Sequence, residues 1–323
     1  IDGGVTWTNI SGTLPNIPFN TVLHRKTSND EVYIGADIGV YVTDNTMAAG
    51  TWVPFNTGLA NSTVNDLEIY YPTGKLRAAT YGRGSWESNL YTGSPTVLLS
   101  AKVFLEGPYN VGAGTMNDGL RTSNYIPTAD PYPGLGFTHI AGELEGTNSA
   151  TLIKSDPNNA IVDWIYVELR DNSNPSTILY TRSALLQRDG DIVDMDGVSP
   201  LHFSNAISGN YYIAIRHRNH LGFRTNSSIA LSGFPAVLDF TDNSIVTFGT
   251  NALKQITPGV YAMYAGDANL DGEVNAFDLN ALWKLQNSLL GYRKADFNLD
   301  GEVNAFDLNT LWKVNNSRIQ QLD

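Results

Sequence analysis

Apolar and polar residues alternate over short stretches for most of this chain, and turn-forming Gly, Asn and Pro separate the stretches. Short runs, here three to nine residues long and rich in Val, Ile, Tyr and Phe, are typical of β-strands. In the first third of the chain such runs cover 32–35, 40–43, 51–55, 66–70 and 76–80. Between residues 92 and 263 they cover 97–105, 161–169, 178–180, 184–186, 211–215, 229–231 and 245–248. The pattern predicts a mainly β chain up to about residue 263.

After residue 263 the spacing of apolar residues changes to the three- and four-residue steps of helices. The residues that carry these steps are Val274, Phe277, Ala281 and Leu285, then Val303, Phe306, Thr310 and Val314. Steps of this size place side chains on one face of an α-helix. We therefore predict two short helices, so the expected fold class is mainly β with a small α-helical region at the end.

Each predicted helix is preceded by a near-copy of one acidic loop. Residues 267–278 read DANLDGEVNAFD and residues 296–307 read DFNLDGEVNAFD, 29 residues further on, which indicates an internal duplication. In EF-hand loops, oxygens at positions 1, 3, 5, 7, 9 and 12 bind calcium, and glycine at position 6 allows the sharp turn. The corresponding residues are Asp267, Asn269, Asp271, Glu273, Asn275 and Asp278 in the first loop, and Asp296, Asn298, Asp300, Glu302, Asn304 and Asp307 in the second.

These oxygen ligands predict two calcium ions, one in each loop. Gly272 and Gly301 occupy the turn position, and position 7 would contribute its backbone carbonyl. Each loop brings three carboxylates and no soft ligand, which favours calcium over zinc or copper. Ion binding at a hundred times Kd would add about 2.7 kcal/mol per site to the stability of this small module. A pair of polar surface turns is the alternative interpretation.

One helix after each loop, with no helical pattern before it, is half of an EF-hand. A duplicated half-EF-hand resembles the type I dockerin module, and the resemblance covers about residues 264–319. It implies a cohesin protein as partner, contacted through loop positions 10 and 11 and the following helix. Those positions hold Ala276-Phe277 and Ala305-Phe306, where many dockerins carry a small polar pair. Phe277 and Phe306 either bind a partner or pack between the two helices, and packing is the expectation.

A tryptophan stands at the same place in both predicted helices, Trp283 in the first and Trp312 in the second. Aromatic anchors supply much of the binding energy of protein interfaces, so the pair can form a twofold-related contact site. Burial in the core of the module is the alternative. Both interpretations stay open from the sequence.

Charge and composition exclude several classes of protein. With 20 Lys and Arg against 32 Asp and Glu, the net charge is −12, so we expect neither nucleic acid nor an anionic membrane surface as partner. No apolar run is as long as a membrane-spanning helix, so no membrane insertion is expected. The sequence has no Cys, which excludes disulfides and thiol catalysis. Together with the calcium loops, this indicates a secreted, extracellular or cell-surface bacterial protein that uses metal in place of disulfides.

The first 91 residues resemble the last blades of an Asp-box β-propeller of the sialidase and sortilin type. The motifs that carry this resemblance are DGGVTW at 2–7, YIGADIGVY at 33–41 and ATYGRGSWE at 79–87. A blade takes about 40–50 residues and a ring at least four blades, so the segment would supply an incomplete ring. We therefore expect this chain to be the C-terminal part of a longer polypeptide, or its exposed sheet edges to be covered by another copy.

Residues 92–263 are predicted to form a β-sandwich domain, after a hinge at 91–95 and before the dockerin-like module of 264–319 and a tail of 320–323. The stretch 106–160 is rich in Gly, Pro and Asn and is expected to run over the sandwich. Segments such as LLSAKVFLEGPY at 98–109 and IVDWIYVELRD at 161–171 resemble a domain of large bacterial surface proteins that use type IX secretion. No enzymatic role is implied by that resemblance.

Two further groups of polar residues are candidate sites. Asp189, Asp191, Asp194 and Asp196 crowd one stretch, and are interpreted as a hairpin turn with solvated acids, with a further calcium loop or a glycosidase acid pair as alternatives. His217 and His220 end a strand and are interpreted as structural. No nucleophile, phosphate-binding or zinc-protease motif occurs, so this region is expected to be non-enzymatic.

The function expected from these observations is an extracellular, calcium-stabilised structural or adhesion protein of a bacterial surface, with self-assembly left open. A protein partner or self-association is expected, and a polysaccharide ligand is an open alternative. Two other functions remain: the non-catalytic C-terminal region of a secreted glycoside hydrolase, or a dockerin that docks onto a cohesin.

Overall fold

The strand-rich sequence folds into β-sheets in the computed structural model, which describes residues 5–26, 28, 30–44, 50–91, 97–142, 145–204, 206–233 and 235–323. Strands make up 38% of the chain and helices 11%, with the longest helical stretch near the end. The predicted mainly β fold class is therefore confirmed. The chain divides into two compact units, 1–94 and 95–323.

The first unit contains two antiparallel sheets in which strands follow each other in chain order. Its strands are β1 Phe19–His24, β2 Val32–Ala36, β3 Gly39–Thr43, β4 Val53–Pro54, β5 Val64–Tyr70, β6 Lys75–Thr80 and β7 Gly84–Asn89. Strands β1 to β4 form one sheet and β5 to β7 the other. Alternate residues such as Tyr33, Val42 and Leu67 are buried between the sheets. The propeller remains a prediction, and residues 2–4 of the predicted Asp-box lie outside the described residues.

The second unit begins with strands that wrap into one nine-stranded sheet. Its strands and two short hairpins are β8 Val97–Lys102, β9 Tyr109–Asn110, β10 Thr115–Met116, β11 Ile161–Asp171, β12 Ile178–Gln187, β13 Asp191–Val193, β14 Leu201–Phe203, β15 Gly209–His217, β16 His220–Arg224, β17 Ile229–Leu231, β18 Pro235–Asp239, β19 Lys254–Thr257 and β20 Val260–Ala262. The sheet order is β14-β8-β13-β12-β11-β15-β16, with β17 on β15 and β18 on β8. We call this region, residues 97–263, the β module.

Strand β11 runs through the middle of the β module, and its first ten residues are buried. The stretch 106–160 covers one side of it, as predicted: Tyr132 Oη donates to Trp164 O (3.1 Å), and Trp164 Nε1 donates to Pro127 O (2.9 Å). This stretch contains α1 Gly119–Thr122, a 3₁₀ turn Pro133–Leu135 and α2 Ser149–Ile153. The predicted runs 178–180 and 184–186 join in β12, and 245–248 do not form a strand.

The two repeats form a loop–helix module, residues 264–323, that belongs to the same compact unit as the β module. After the first loop a π-helical segment Asp278–Trp283 continues into an α-helical turn Lys284–Gln286, and together we call them the first repeat helix. The second repeat helix consists of Asp307–Trp312 and Lys313–Asn315. None of the described helices is long and apolar enough to cross a membrane.

Candidate calcium loops and docking face

Each loop closes on two buried carboxylates, at positions 1 and 12. In the first loop Asp278 Oδ1 accepts hydrogen bonds from the N–H groups of Ala268 (2.8 Å) and Asn269 (3.1 Å), and Oδ2 accepts from Asn275 N (2.8 Å). Asp267 accepts from Leu270 N (2.8 Å) and from Gly272 N (3.1 Å). Both carboxylates are at most 2% exposed. The backbone of the loop therefore wraps around its own acidic side chains.

The second loop repeats this geometry. Asp307 accepts from the N–H groups of Phe297 (2.7 Å), Asn298 (3.2 Å) and Asn304 (2.8 Å), and Asp296 accepts from Gly301 N (2.9 Å). The duplicated sequence therefore gives a duplicated conformation.

The glycine at position 6 of each loop has a left-handed backbone, with φ of +88° at Gly272 and +91° at Gly301. Residues with a Cβ rarely adopt this conformation. A Cβ on Gly301 would also come within 2.9 Å of the ring of Tyr125 in the β module. The sharp turn predicted from the sequence thus requires glycine for both its conformation and its space.

Burial makes the charged form of the position-1 carboxylates unfavourable. Burial, followed by the charges of Asp278 and Asp271, raises the pKa of Asp267 to about 7. Burial also raises the pKa of Asp296 to about 8, against the opposing charge of Arg218. Removing a carboxylate from water disfavours its charged form. A cation among these oxygens would relieve that penalty.

The donor set of the loops fits calcium. Both loops present only oxygen atoms, from Asp, Asn and backbone carbonyls, and hard oxygen ligands are those that calcium prefers. Among the residues that the structure describes, no three His, Asp or Glu side chains lie together in metal-ligating geometry. In the first loop Asn269 and Asp271 bond each other (2.7 Å) and accept backbone N–H groups instead. The twelve predicted ligands therefore stay a prediction.

The tryptophans of the repeat helices connect the loops crosswise. Trp283 Nε1 donates to Asn304 O of the second loop (3.2 Å), and Trp312 Nε1 donates to Asn275 O of the first (3.0 Å). Trp312 is 9% exposed, and Trp283 is partly buried against the same apolar cluster. Both side chains thus lie in the core of the module and link one repeat to the other.

The backbone after each helix also crosses to the other loop. Gly291 N donates to Gly301 O (2.9 Å) and Ser288 N to Val303 O (2.7 Å), while Gln320 N donates to Gly272 O (2.8 Å). The first loop is therefore fastened by the chain after the second helix, and the second loop by the chain after the first helix.

Phe277 and Phe306 do not pack between the helices, and that expectation was wrong. Phe277 is 69% exposed and Phe306 is 48% exposed. Trp283, Trp312 and Leu311 fill the space between the repeats instead, and the start of each repeat helix turns position 11 outward. Leu285 and Val314, eight residues further along each helix, are also exposed.

Other residues of the loop–helix module are buried against the β module. Asn219, in the turn between β15 and β16, donates to Lys294 O (3.0 Å) and Asp296 O (2.6 Å). Arg218, beside it, donates to Arg293 O. Asn315 of the second repeat helix donates to Glu106 Oε2 (2.6 Å) and Ala265 O (2.8 Å).

The cores of the two modules also interpenetrate. Leu299 of the second loop is 1% exposed and belongs to the core of the β module, whereas Leu221 of β16 belongs to the core of the loop–helix module. Leu120 N donates to Leu299 O (3.1 Å). A Cβ on Gly119 would lie 2.7 Å from Asp300 Cα, so glycine permits this close approach.

These interface residues were not predicted from the sequence, although the repeat contains a signal for some of them. The two repeats differ where one contacts the β module: Gln286 corresponds to Asn315, and Ala268 to Phe297. Gln286 accepts Ala295 N within its own module (3.0 Å), whereas Asn315 reaches Glu106. Positions that break a repeat thus mark places where its environment differs.

The four aspartates of the stretch 189–196 do not come together into one site in the structure. Asp189 and Asp191 pair with Lys102, at 3.4 and 3.1 Å. Asp194 is 6% exposed and pairs with Arg182 (3.0 Å) and His202. The hairpin interpretation agrees with the turn between β12 and β13, but Asp194 is buried and paired rather than solvated.

His217 and His220 end β15 and begin β16, where both are 1% exposed. His217 Nε2 contacts Asp163 Oδ2 (3.2 Å), and the two Nδ1 atoms lie 3.0 Å apart. The structural interpretation agrees with this packing. What the sequence could not indicate is that the turn between them is covered by the loop–helix module.

Comparison with known proteins finds a family match near the end of the chain. Residues 265–314 match the family described as Dockerin type I domain, and type I dockerin domains bind calcium. No curated protein matches the chain. The match covers the two loops and both repeat helices, but neither the β module nor the first unit.

Two solved structures are similar to this chain, both of interface mutants of a type II cohesin–X–dockerin complex from Acetivibrio cellulolyticus. The N-terminal interface mutant is 15% identical in sequence to this chain. The matched region covers 54% of this chain and 90% of the mutant's chain, with a TM-score of 0.30. The C-terminal interface mutant is 14% identical in sequence to this chain. The matched region covers 70% of this chain and 97% of the mutant's chain, with a TM-score of 0.33. At these TM-scores neither establishes a shared fold.

Proposed function

We propose that residues 264–319 are a calcium-ordered docking module that attaches this chain to a cohesin-type protein partner. The family match supports a dockerin at this place. The observation that carries the proposal is a set of exposed apolar side chains at matched positions, one directly before and one near the end of each repeat helix. Phe277 is 69% exposed and Leu285 73% in the first, and Phe306 is 48% and Val314 61% in the second. Exposed apolar groups of this kind mark interaction surfaces.

The calcium assignment names six ligand positions in each loop and one ion per loop. The side chains of Asp267, Asn269, Asp271 and Asp278, the carbonyl of Glu273 and the side chain or a bound water of Asn275 would hold the first ion, and the equivalent residues at 296–307 the second. A bound ion supplies positive charge that offsets the repulsion between buried carboxylates. We expect two ions by calcium titration, and one ion each for Asp267→Ala and Asp296→Ala. Two ions on either variant would contradict the ligand assignment.

The docking proposal is tested by binding of the calcium-loaded chain to a panel of type I and type II cohesin domains. In a cohesin that binds, we expect the pairs Phe277→Ala/Leu285→Ala or Phe306→Ala/Val314→Ala to weaken affinity at least tenfold, since truncating an anchor side chain typically costs more than about 1.4 kcal/mol. Val237→Ala, on the β module and 77% exposed, is the matched control. Chelation should abolish binding.

Two results would contradict docking through this face. One is that the intact, calcium-loaded chain binds no cohesin of either type. The other is that a cohesin binds all helix-face variants as tightly as the unchanged chain.

For the whole chain we propose an extracellular or cell-surface location and a structural or adhesive role rather than catalysis. The family is found in extracellular and cell-surface proteins. A calcium-dependent module suits that location, because low-affinity calcium sites are filled outside cells. The predicted sandwich and propeller units would then be the parts of the protein that the dockerin attaches to its partner.

A second candidate function, self-association, is favoured by strand β7 of the first unit. It is the edge of its sheet, and all six of its residues are exposed. An exposed edge strand can pair with another chain. Light scattering should then show a concentration-dependent oligomer that Ser88→Lys dissolves, because charge on an edge opposes pairing. A monomer at all concentrations would remove this candidate.

A further inference from the structure

We propose that Asn219 of the β module is a positioning residue for the second calcium loop, which it makes a tighter calcium site than the first. The inference rests on the proposed function, in which both loops bind calcium. The loops have nearly the same sequence, so a difference between them must come from their surroundings.

Asn219 holds the entrance of the second loop from outside the repeat. It is fully buried, and its amide donates to the carbonyls of Lys294 (3.0 Å) and Asp296 (2.6 Å). Asp296 is position 1 of that loop, so these bonds fix the backbone of the first ligand residue. The first loop has only a backbone counterpart: Gly266 N donates to Asn219 O (3.0 Å).

Leu299 anchors the middle of the second loop. It is 1% exposed within the β core, whereas Leu270, the same position of the first loop, is only half-buried. The ring of Tyr125 lies against Gly301, whereas the equivalent Gly272 lies against Gln320 of the C-terminal tail. The second loop is thus anchored in a sheet core, whereas the first lies at the surface of the β module and against the C-terminal tail.

A loop already held in its binding conformation loses less conformational freedom when an ion binds. Arg218 acts in the opposite direction, because its positive charge lies near Asp296. However, Arg218 Nε donates to Asp163 Oδ2 (2.7 Å) inside the β module, and this pairing offsets its charge. We expect preorganisation to outweigh the repulsion that remains.

The crosswise tryptophans allow each loop to be measured separately. Terbium, a calcium substitute that luminesces when a nearby tryptophan is excited, would report the second loop through Trp283 and the first through Trp312. Trp312→Phe leaves the second-loop signal, Trp283→Phe leaves the first, and the double variant gives the background from the other tryptophans. Competition with calcium then gives a calcium affinity for each loop.

We expect the second loop to bind calcium at least tenfold more tightly than the first. Asn219→Ala should weaken the second loop at least tenfold and change the first less than threefold. Asn226→Ala, an exposed asparagine of the same module, is the control and should change neither. Asn219→Ser, a smaller perturbation, should give an intermediate loss in the second loop if the alanine variant does not fold.

Equal affinities of the two loops, or equal weakening of both by the Asn219 variants, would overturn the inference, because a merely structural residue would affect both repeats. Failure of both loops to bind terbium or calcium would instead contradict the proposed function. The two failures are therefore distinguishable.

Discussion

At the scale of residues, a buried polar cluster joins the two modules. Asp163 accepts from Arg218 Nε (2.7 Å) and from Tyr292 Oη (2.7 Å), and the Arg218 guanidinium stacks on the Tyr292 ring at 4.1 Å. Burial acts to raise the pKa of Asp163, but Arg218 and His217 outweigh it and hold that pKa at about 2. The aspartate thus stays charged and paired although it is fully buried.

The same cluster predicts loss of stability in mild acid. Burial lowers the pKa of His217 despite Asp163, and burial, followed by the charges of His217 and Arg218, lowers that of His220 well below its usual value. Below about pH 6.5 the unfolded chain binds protons that the folded chain does not, so stability falls as pH falls, by up to about 1.4 kcal/mol per pH unit for each histidine.

Urea unfolding between pH 7 and pH 5 measures this effect, in saturating calcium so that the loop carboxylates stay ionised. His220→Gln should reduce the slope of unfolding free energy against pH by up to about 1.4 kcal/mol per pH unit, which is the contribution of one histidine. The facing groups Asp163, Asn219 and Tyr292 do not titrate in this range. An unchanged slope in the variant would show that His220 does not titrate on unfolding.

At the scale of elements, the two loops are copies in conformation but not in packing. Leu299 fills the β core, and its counterpart Leu270 lies half-buried at the surface of the same module. Close approach of Gly107 to Phe297 O and of Gly119 to Asp300 lets the second loop sit against the sheet. The second loop therefore packs into the cores of both modules.

A pair of matched substitutions tests this asymmetry. Leu299→Ala should lower the unfolding free energy of the second unit by about 2–5 kcal/mol, because it leaves a cavity in a packed core. Leu270→Ala should cost about 1 kcal/mol or less, since the leucine it replaces is already partly in contact with water. Denaturant unfolding in excess calcium measures both, and equal losses would mean that the two loops are packed alike.

At the scale of the whole molecule, the shared cores predict what calcium removal does. Leu221 of the β module packs in the core of the loop–helix module, and Leu299 of the second loop packs in the core of the β module. Asn315 connects the second repeat helix to Glu106. The sequence predicts that chelation melts residues 264–319 selectively. The structure sharpens that prediction, because the β module loses part of its own core when the second loop unfolds.

Hydrogen–deuterium exchange with and without a chelator measures this coupling. We expect peptides from 265–315 to lose protection first, and those from β11 Ile161–Asp171 to lose protection as well. Peptides from β2 Val32–Ala36, which belongs to the other compact unit, should keep theirs and serve as the internal control. Unchanged exchange throughout would contradict a structural role for calcium.

The strands and the repeat could be predicted from sequence because their signals are local. Alternation marks β11 and β15, and identical loop sequences mark the two acidic turns with Gly272 and Gly301 at their corners. Short strands such as β14 and β16 were not predicted, because His, Gly and Arg interrupt their apolar pattern. The orientation of Phe277 was mistaken, because helical spacing shows which residues share a face but not which face is buried.

By itself, the sequence determined the mainly β fold class and the dockerin-like repeat with its oxygen-rich loops, because each of these depends on residues close together along the chain. Only the tertiary structure decided what surrounds the repeat. Asn219 and Asp296, or Glu106 and Asn315, are 77 and 209 residues apart, and no local pattern relates such pairs. Their contacts arise from how two modules pack, and that packing makes two nearly identical loops physically different.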